Sequence, residues 1–130
     1  MSSWSVEVDG DTELEAALER SGEGLVDGLT KATKDAGTDM RDTWRANAKR
    51  TAGKHGKWYP GDIQATTTSG VDFAESTIEP RAGRRQAAMS FEYGSRKQPP
   101  HLDAAKAFPA VDEKWRTACD EALDRALEAL

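Results

Sequence analysis

From Leu25 onward, apolar or small residues return every three to four positions: Leu25, Leu29, Ala32, Ala36, Met40, Thr43 or Trp44, and Asn47 or Ala48. A repeat of that period, kept up from Leu25 to Ala48, fits one regular structure, a long amphipathic α-helix. The helix must bury its stripe against something, so whatever else the chain forms has to pack along it. Gly28 and Gly37 interrupt good helix formers at a cost of about 1 kcal/mol each relative to alanine, which points to close packing or a bend at those two places.

The flanking segments supply the partners. Trp4, Val6 and Val8 alternate with Ser5 and Glu7, the period of a half-buried strand over residues 4–8. Gly10 then turns the chain, and Thr12 with Glu15 forms a capping box ahead of a first helix whose inner face is Leu14, Ala17 and Leu18. Ser21, Gly22 and Gly24 are expected to loosen this helix before the long one begins. After "TAGKHGKWYPGD", a loop holding Trp58 and Tyr59, "IQATTTS" and "DFAESTIEP" read as threonine-rich strands. "QAAMSFEY" puts Ala87, Met89, Phe91 and Tyr93 on one face with period two, a third strand, with "PRAGRR" as the hairpin loop before it.

Near the end, "LDAAKAF" fits a turn of helix, and Pro109 fits the first position of a further helix, where its missing amide would have had no partner anyway. Val111, Trp115, Ala118, Ala122 and Ala126, with Leu123, Leu127 and Leu130 one step round, make an apolar stripe to the terminus. The expectation is a single domain over residues 1–130 of α+β class: a small antiparallel sheet of three to four strands packed against a long central helix and a C-terminal helix, in the order β-α-α-β-β-β-α.

Charge is segregated along the chain, although the net value is only -5. Glu7, Asp9, Asp11, Glu13, Glu15, Glu19 and Glu23 face a lone Arg20 in the first segment. Arg41, Arg45, Lys49, Arg50, Lys54 and Lys57 outweigh Asp42 in the middle, and Arg81, Arg84, Arg85, Arg96 and Lys97 outweigh Glu92 later. Such separation suits head-to-tail contact between identical subunits, a basic surface near nucleic acid, or, equally, solvated faces with no partner. With 37% hydrophobic and 32% charged residues, the apolar share is low for a chain of 130, which fits either a thin two-layer domain with much solvated helix surface or a subunit that completes its burial against neighbours.

Catalytic patterns are weak. The only histidines, His55 and His101, sit in a glycine-flanked loop and behind two prolines, and neither Ser95 nor Cys119 lies in an elbow-like motif. "VDGDTELE" lacks the ligand ladder of a calcium loop, and "AGKHGKWYPG" lacks the GxxxxGK[ST] order of a phosphate loop. We therefore expect no catalytic residues, no metal and no cofactor. Cys119 is alone, so it forms no intrachain disulfide and reads as a small core residue. A basic start followed by an apolar run is lacking, as is any 18-residue apolar stretch, so a protein made in the cytoplasm with no membrane partner is expected.

"FEYGSRKQPPHL" is the least ordinary segment. Gly94 permits a positive φ or close backbone approach where the chain leaves the sheet, and Pro99 and Pro100 stiffen the exit into an extended segment that presents Arg96 and Lys97 at fixed positions.

These residues resemble the small tail-completion or neck (head-tail connector) proteins of long-tailed bacteriophages, a family related to the lambda tail-completion protein. "VEVDGDTELEAALER" takes the place of the family's strand, glycine turn and first helix; "GLTKATKDAGTDMRDTWRANAKR" and "WYPGDIQATT" that of its long alanine-rich helix with a basic end, loop and strand. The loop lacks the family's Thr-Gly pair. "FEYGSRKQPPHLDAAKAF" is similar to its acidic-aromatic-Gly-Ser/Thr corner and Pro-rich step into the last helix, through Glu92, Tyr93, Gly94, Ser95, Pro99, Pro100 and Pro109.

The resemblance implies a structural subunit of the virion neck, not an enzyme, that assembles as a ring, expected to be hexameric, between capsid portal and tail tube, with genomic DNA passing nonspecifically through its lumen. Its partners would be further copies of itself, an adjacent connector or stopper, and the tail terminator or tail tube. Contact with a neighbouring subunit or ring is expected at Phe91, Glu92, Tyr93, Gly94, Ser95, Arg96, Lys97, Gln98, Pro99, Pro100 and His101, with Trp58 and Tyr59. Contact with DNA or an acidic partner is expected at Arg45, Lys49, Arg50, Lys54, Lys57, Arg81, Arg84 and Arg85. Alternatives are a tail-terminator or other connector ring and, in a different class, a nucleic-acid-binding accessory domain.

Overall fold

The computed structural model describes residues 12–130; the strand expected over 4–8, the turn at Gly10 and the side chain of the Thr12 cap lie outside it. A single helix, α1 (Thr12–Thr51), runs 40 residues, about 60 Å at 1.5 Å per residue. The chain then passes through a short 3-10 turn at Lys54–Gly56 into one helical turn, α2 (Tyr59–Asp62). Strands β1 (Ile63–Ser69) and β2 (Ala74–Pro80) follow, then α3 (Arg85–Tyr93) and α4 (Asp103–Glu128). The architecture is α+β, with a two-stranded antiparallel sheet among the described residues, running from Ile63 opposite Pro80 to Ser69 opposite Ala74.

The sheet is smaller than expected because residues 85–93 are helical. Ala, Gln, Met and Glu are all good helix formers. The helix buries Ala88 and Glu92, four apart, with Phe91 beside them, whereas the strand face of Ala87, Met89, Phe91 and Tyr93 would leave Ala88 and Glu92 in solvent. "PRAGRR" is accordingly not a hairpin loop: Pro80 ends β2, and Ala82–Arg84 is a 3-10 turn leading into α3. The hairpin loop is Gly70–Phe73, closed by the Gly70 amide donating to the Phe73 carbonyl at 2.9 Å.

Helix α1 does not break at Ser21–Gly24. α4 runs antiparallel along it, and the Ser21 hydroxyl donates to the Ala126 carbonyl, so tertiary contact holds the stretch that local propensity would loosen. The same pairing continues through Gly28 against Ala122, Trp115 Nε1 donating to Thr33 Oγ1 at 3.2 Å, Lys114 with Asp39 at 3.1 Å, and Asn47 Nδ2 donating to the Asp103 carbonyl at 3.0 Å. α4 also starts earlier than expected, at Asp103, with Pro109 inside it. The proline denies the Ala105 carbonyl its helical donor, but both residues face solvent, where water can replace it.

The core lies where the C-terminal half of α1 meets everything else. Trp44, Ala48, Tyr59, Ile63 and Ala88 are buried there, with Met40, Trp58, Ile78, Met89 and Phe91 around them. Toward the other end of α1, α4 packs on a seam of small residues: Ser21 and Ala32 against Ala122 and Ala126. Cys119 is half-buried on α4, and burial pushes its thiol up. No helix among the described residues is long and apolar enough to cross a membrane.

Both glycines singled out in the sequence mark close packing. A methyl at Gly28 would meet Ala122 Cβ at 2.9 Å, and one at Gly37 would meet Ser76 Oγ at 2.7 Å, whereas Gly22 and Gly24 have open space. Gly22→Ala and Gly24→Ala should therefore each stabilise the protein by about 0.5–1 kcal/mol, the helix-propensity gain. Gly28→Ala and Gly37→Ala should forfeit that gain and lower stability; urea unfolding of the four variants checks the split.

Candidate functional site: the joint between α3 and α4

The conspicuous segment forms the joint between α3 and α4, and its geometry starts from Gly94. This residue ends α3 with φ 85° and ψ 169°, and a Cβ there would stand 2.9 Å from the Pro100 nitrogen. Glycine is required on both counts, conformation and space. The chain does not continue as an extended arm. It doubles back through a two-residue turn, with the Ser95 amide donating to the Gln98 carbonyl at 2.9 Å and Arg96 and Lys97 exposed at its tip. Pro99 and Pro100 then return it beside the end of α3, where the His101 amide donates to the Phe91 carbonyl at 2.8 Å and the Leu102 amide to the Glu92 carbonyl at 3.1 Å. Two carbonyls of the last turn of α3, which have no partner within the helix, are satisfied this way.

Leu102, with φ 54°, brings the chain into α4 through the left-handed region and offers no side-chain cap. The cap comes from another element. Glu92, 2% exposed, accepts the Ala104 amide with both carboxylate oxygens, at 2.7 and 3.0 Å. Next to it Asp103 is fully buried, its carboxylate oxygens each 2.9 Å from Thr51 Oγ1 on α1. Asn47, which donates to the Asp103 carbonyl, in turn accepts from Arg50. Two buried carboxylates thus tie α3, α4 and the end of α1 together.

Aromatic rings support the joint from below. Phe91 stacks on Tyr59 with centroids 4.7 Å apart and planes 10° from parallel, and Trp58 meets both rings edge-on. Trp44 Nε1 donates to the Tyr59 hydroxyl oxygen at 2.8 Å, and burial pushes that hydroxyl up to about 12. The His101 ring lies 5.7 Å from Phe91, with its Nδ1 buried and unbonded, 3.9 Å from Asp103.

The residues expected at a subunit contact therefore divide. Tyr59 is fully buried and Glu92 nearly so; both hold the chain's own fold and are not surface. Phe91, Trp58, His101 and Gln98 are partly buried, and Gln98 reaches Ser90 at 3.4 Å. Tyr93 (70% exposed), Ser95, Arg96, Lys97, Pro99 and Pro100 form the outer side of the joint.

The basic set divides in the same way. Arg45 is committed to the Ile63 carbonyl, its Nε at 2.9 Å, and Arg50 to Asn47. Arg84 lies over the Trp58 ring at 5.3 Å and 3.5 Å from Asp62, and Arg85 pairs with Glu79 at 2.6 Å. Lys49, Lys54, Lys57 and Arg81 are exposed. The polar ties at Ser21, Asn47, Thr51 and Asp103 are absent from the sequence reading. The signal that would have found the last was Asp103 itself, an acid in the first turn of a long helix, three residues after Pro100.

Removal from water is the main influence on Glu92 and pushes its carboxyl up; the Ala104 amide works the other way, and Asp103 nearby adds to the rise. A carboxyl that holds its proton more tightly folded than unfolded stabilises the fold below its unfolded pKa, and loses that contribution as pH rises through its folded pKa. Glu92→Gln keeps an oxygen for Ala104 but cannot ionise, so its stability relative to wild type should improve from about pH 4 upward until the folded pKa is passed. Urea unfolding at stepped pH tests this, and parallel profiles would show that Glu92 does not govern the pH dependence. Tyr59→Phe, which strands the Trp44 donor, should cost about 1–2 kcal/mol in the same assay.

Comparison of the chain with protein-family models, with curated proteins and with solved structures finds no match.

Proposed function

We propose that this chain is a structural, non-enzymatic subunit of the bacteriophage neck, assembling as a ring, expected to be hexameric, that joins the portal or connector to the tail tube and completes the tail. The observation that carries the reading is the α3–α4 joint. The corner that resembles the neck family most closely is a rigid, surface-directed turn whose glycine has no substitute, and its inner side is anchored by Glu92 and Asp103. The turn, closed by Ser95 and Gln98 on an anchored base, offers Arg96 and Lys97 at the surface, where a neighbouring subunit or ring could meet them. The expected neighbours are a connector or stopper, the tail terminator or the tail tube, with DNA crossing the lumen nonspecifically. The location is the virion, after synthesis in the host cytoplasm. A tail terminator or other connector ring is the alternative within the same class.

A second reading, a nucleic-acid-binding accessory domain, draws on the exposed cations Lys49, Lys54, Lys57 and Arg81. The two readings part in one experiment on a phage encoding this chain. Without the chain, filled heads and finished tails should accumulate unjoined in electron micrographs, and supplying wild type should rejoin them whereas Gly94→Val should not. Normally tailed particles from the deletion, combined with tight duplex binding by the monomer and a steep salt slope, would favour the second reading.

A further inference from the structure

The two ends of the molecule carry opposite charge and matching apolar surface. Past Thr33, where the Ser76 hydroxyl donates to the α1 backbone at 2.8 Å, α1 is paired with α4 along its small-residue seam among the described residues. Because alanine, serine and glycine fill that seam, the large aliphatics are displaced to its flank. At 100° per residue, Leu18, Leu25 and Leu29 lie on one side of the Ser21–Gly28–Ala32 line, and Leu123 and Leu130 flank Ala122 and Ala126 on the same side of the pair. The groove on the opposite side is lined by Gly24, Asp27, Lys31, Glu121 and Arg125, and by none of these leucines. Leu123, Leu127 and Leu130 are 44%, 57% and 56% exposed. On the outer faces of the same stretch are the exposed acids Glu15, Glu19, Glu23, Asp120, Asp124 and Glu128, against the exposed cations Arg20 and Arg125.

At the other end, Tyr93 (70% exposed) and Phe108 (56%) stand on the elements that carry Arg96, Lys97 and Lys106, with Lys54 and Lys57 beyond the end of α1. The halves of a complementary contact are thus both present on one chain, at opposite ends of α4, where Phe108 and Leu123 stand about 22 Å apart along one helix, so they cannot meet within one molecule. We propose that the acidic, leucine-flanked tip of the α1–α4 pair docks on the basic end, around Tyr93 and Phe108, of a second copy of this chain. Such a contact is heterologous, each subunit offering a different surface to each neighbour, the type that closes into a ring. The proposal rests on the reading of the chain as a self-assembling subunit and names the surfaces that reading leaves open.

Charge exchange tests it. Asp120→Lys/Asp124→Lys/Glu128→Lys reverses the charge on the α4 side of the tip and suits the end of α4, whose helix dipole favours cations. Arg96→Glu/Lys97→Glu reverses the charge of the exposed turn beside Tyr93. Circular dichroism checks folding, and sedimentation velocity is run at 50 and 500 mM salt. Wild type should associate at low salt and weaken at least ~10-fold at high salt. Each variant alone should associate more weakly than wild type, and an equal mixture, in which the new lysines of one variant face the new glutamates of the other, should recover association. Leu123→Ser/Leu127→Ser should lose association at both salts. Association of the separate variants as strong as wild type would overturn the surfaces named here and leave the ring reading standing. Failure of the mixture to recover, or a wild type monomeric at low salt up to ~1 mM, would overturn the contact, and neck assembly in the deletion phage would then judge the ring reading separately.

Discussion

The grip of the Glu92 carboxylate on the Ala104 amide decides where α4 begins, and much of the rest follows from that point. Leu102 enters the helix from a left-handed conformation and cannot cap it, so without Glu92 the first turn of α4 would leave a buried amide unmatched. With the start fixed, Asp103 falls against Thr51 and Asn47, and the register between α4 and α1 is set for the next six turns. Small residues then meet small residues where Ser21, Gly28 and Ala32 face Ala122 and Ala126. The arrangement has an electrostatic cost, since two buried carboxylates stand close together. The amide and hydroxyl donors around them offset part of it, and the proton that Glu92 retains more readily offsets more.

Some of this was legible in the sequence. The period of residues 25–48 identified the long helix, the threonine-rich runs identified both strands, and the apolar stripe after Val111 identified the last helix. Gly28, Gly37 and Gly94 were each readable because a glycine in a costly place implies a neighbour or a dihedral that excludes other residues. Residues 86–93 were misread because they satisfy two periods at once. Alternation favoured the apolar set ending in Phe91 and Tyr93, whereas the burial that decided the outcome was of Ala88 and Glu92, a pair that only a partner such as the Ala104 amide makes sensible.

The break expected at Ser21–Gly24 and the late start expected at Pro109 fail for a common reason. Both are local signals, and each was overruled by the partner helix: the first by the Ser21–Ala126 bond, the second by a capping group twelve residues upstream of the amide it serves. The candidate site was legible as a corner with a special glycine and two rigid prolines. Its division into an anchored inner side and an exposed outer side was not, because burial of Tyr59 and Glu92 arises from residues distant in sequence.

The bond between Ser21 and Ala126 joins positions 105 apart. A ribosome delivers α1 long before it delivers the far half of α4, so the apolar flank of α1 waits through about a hundred further residues with no partner helix. In that interval a nascent chain, unlike the finished one, offers a long bare amphipathic stripe to whatever holds it: the tunnel exit, a chaperone, or the same stripe on another nascent chain. The far half of α4 therefore decides when that stripe is covered, and its contact at Ala126 carries a weight in folding that its own share of the packing does not suggest.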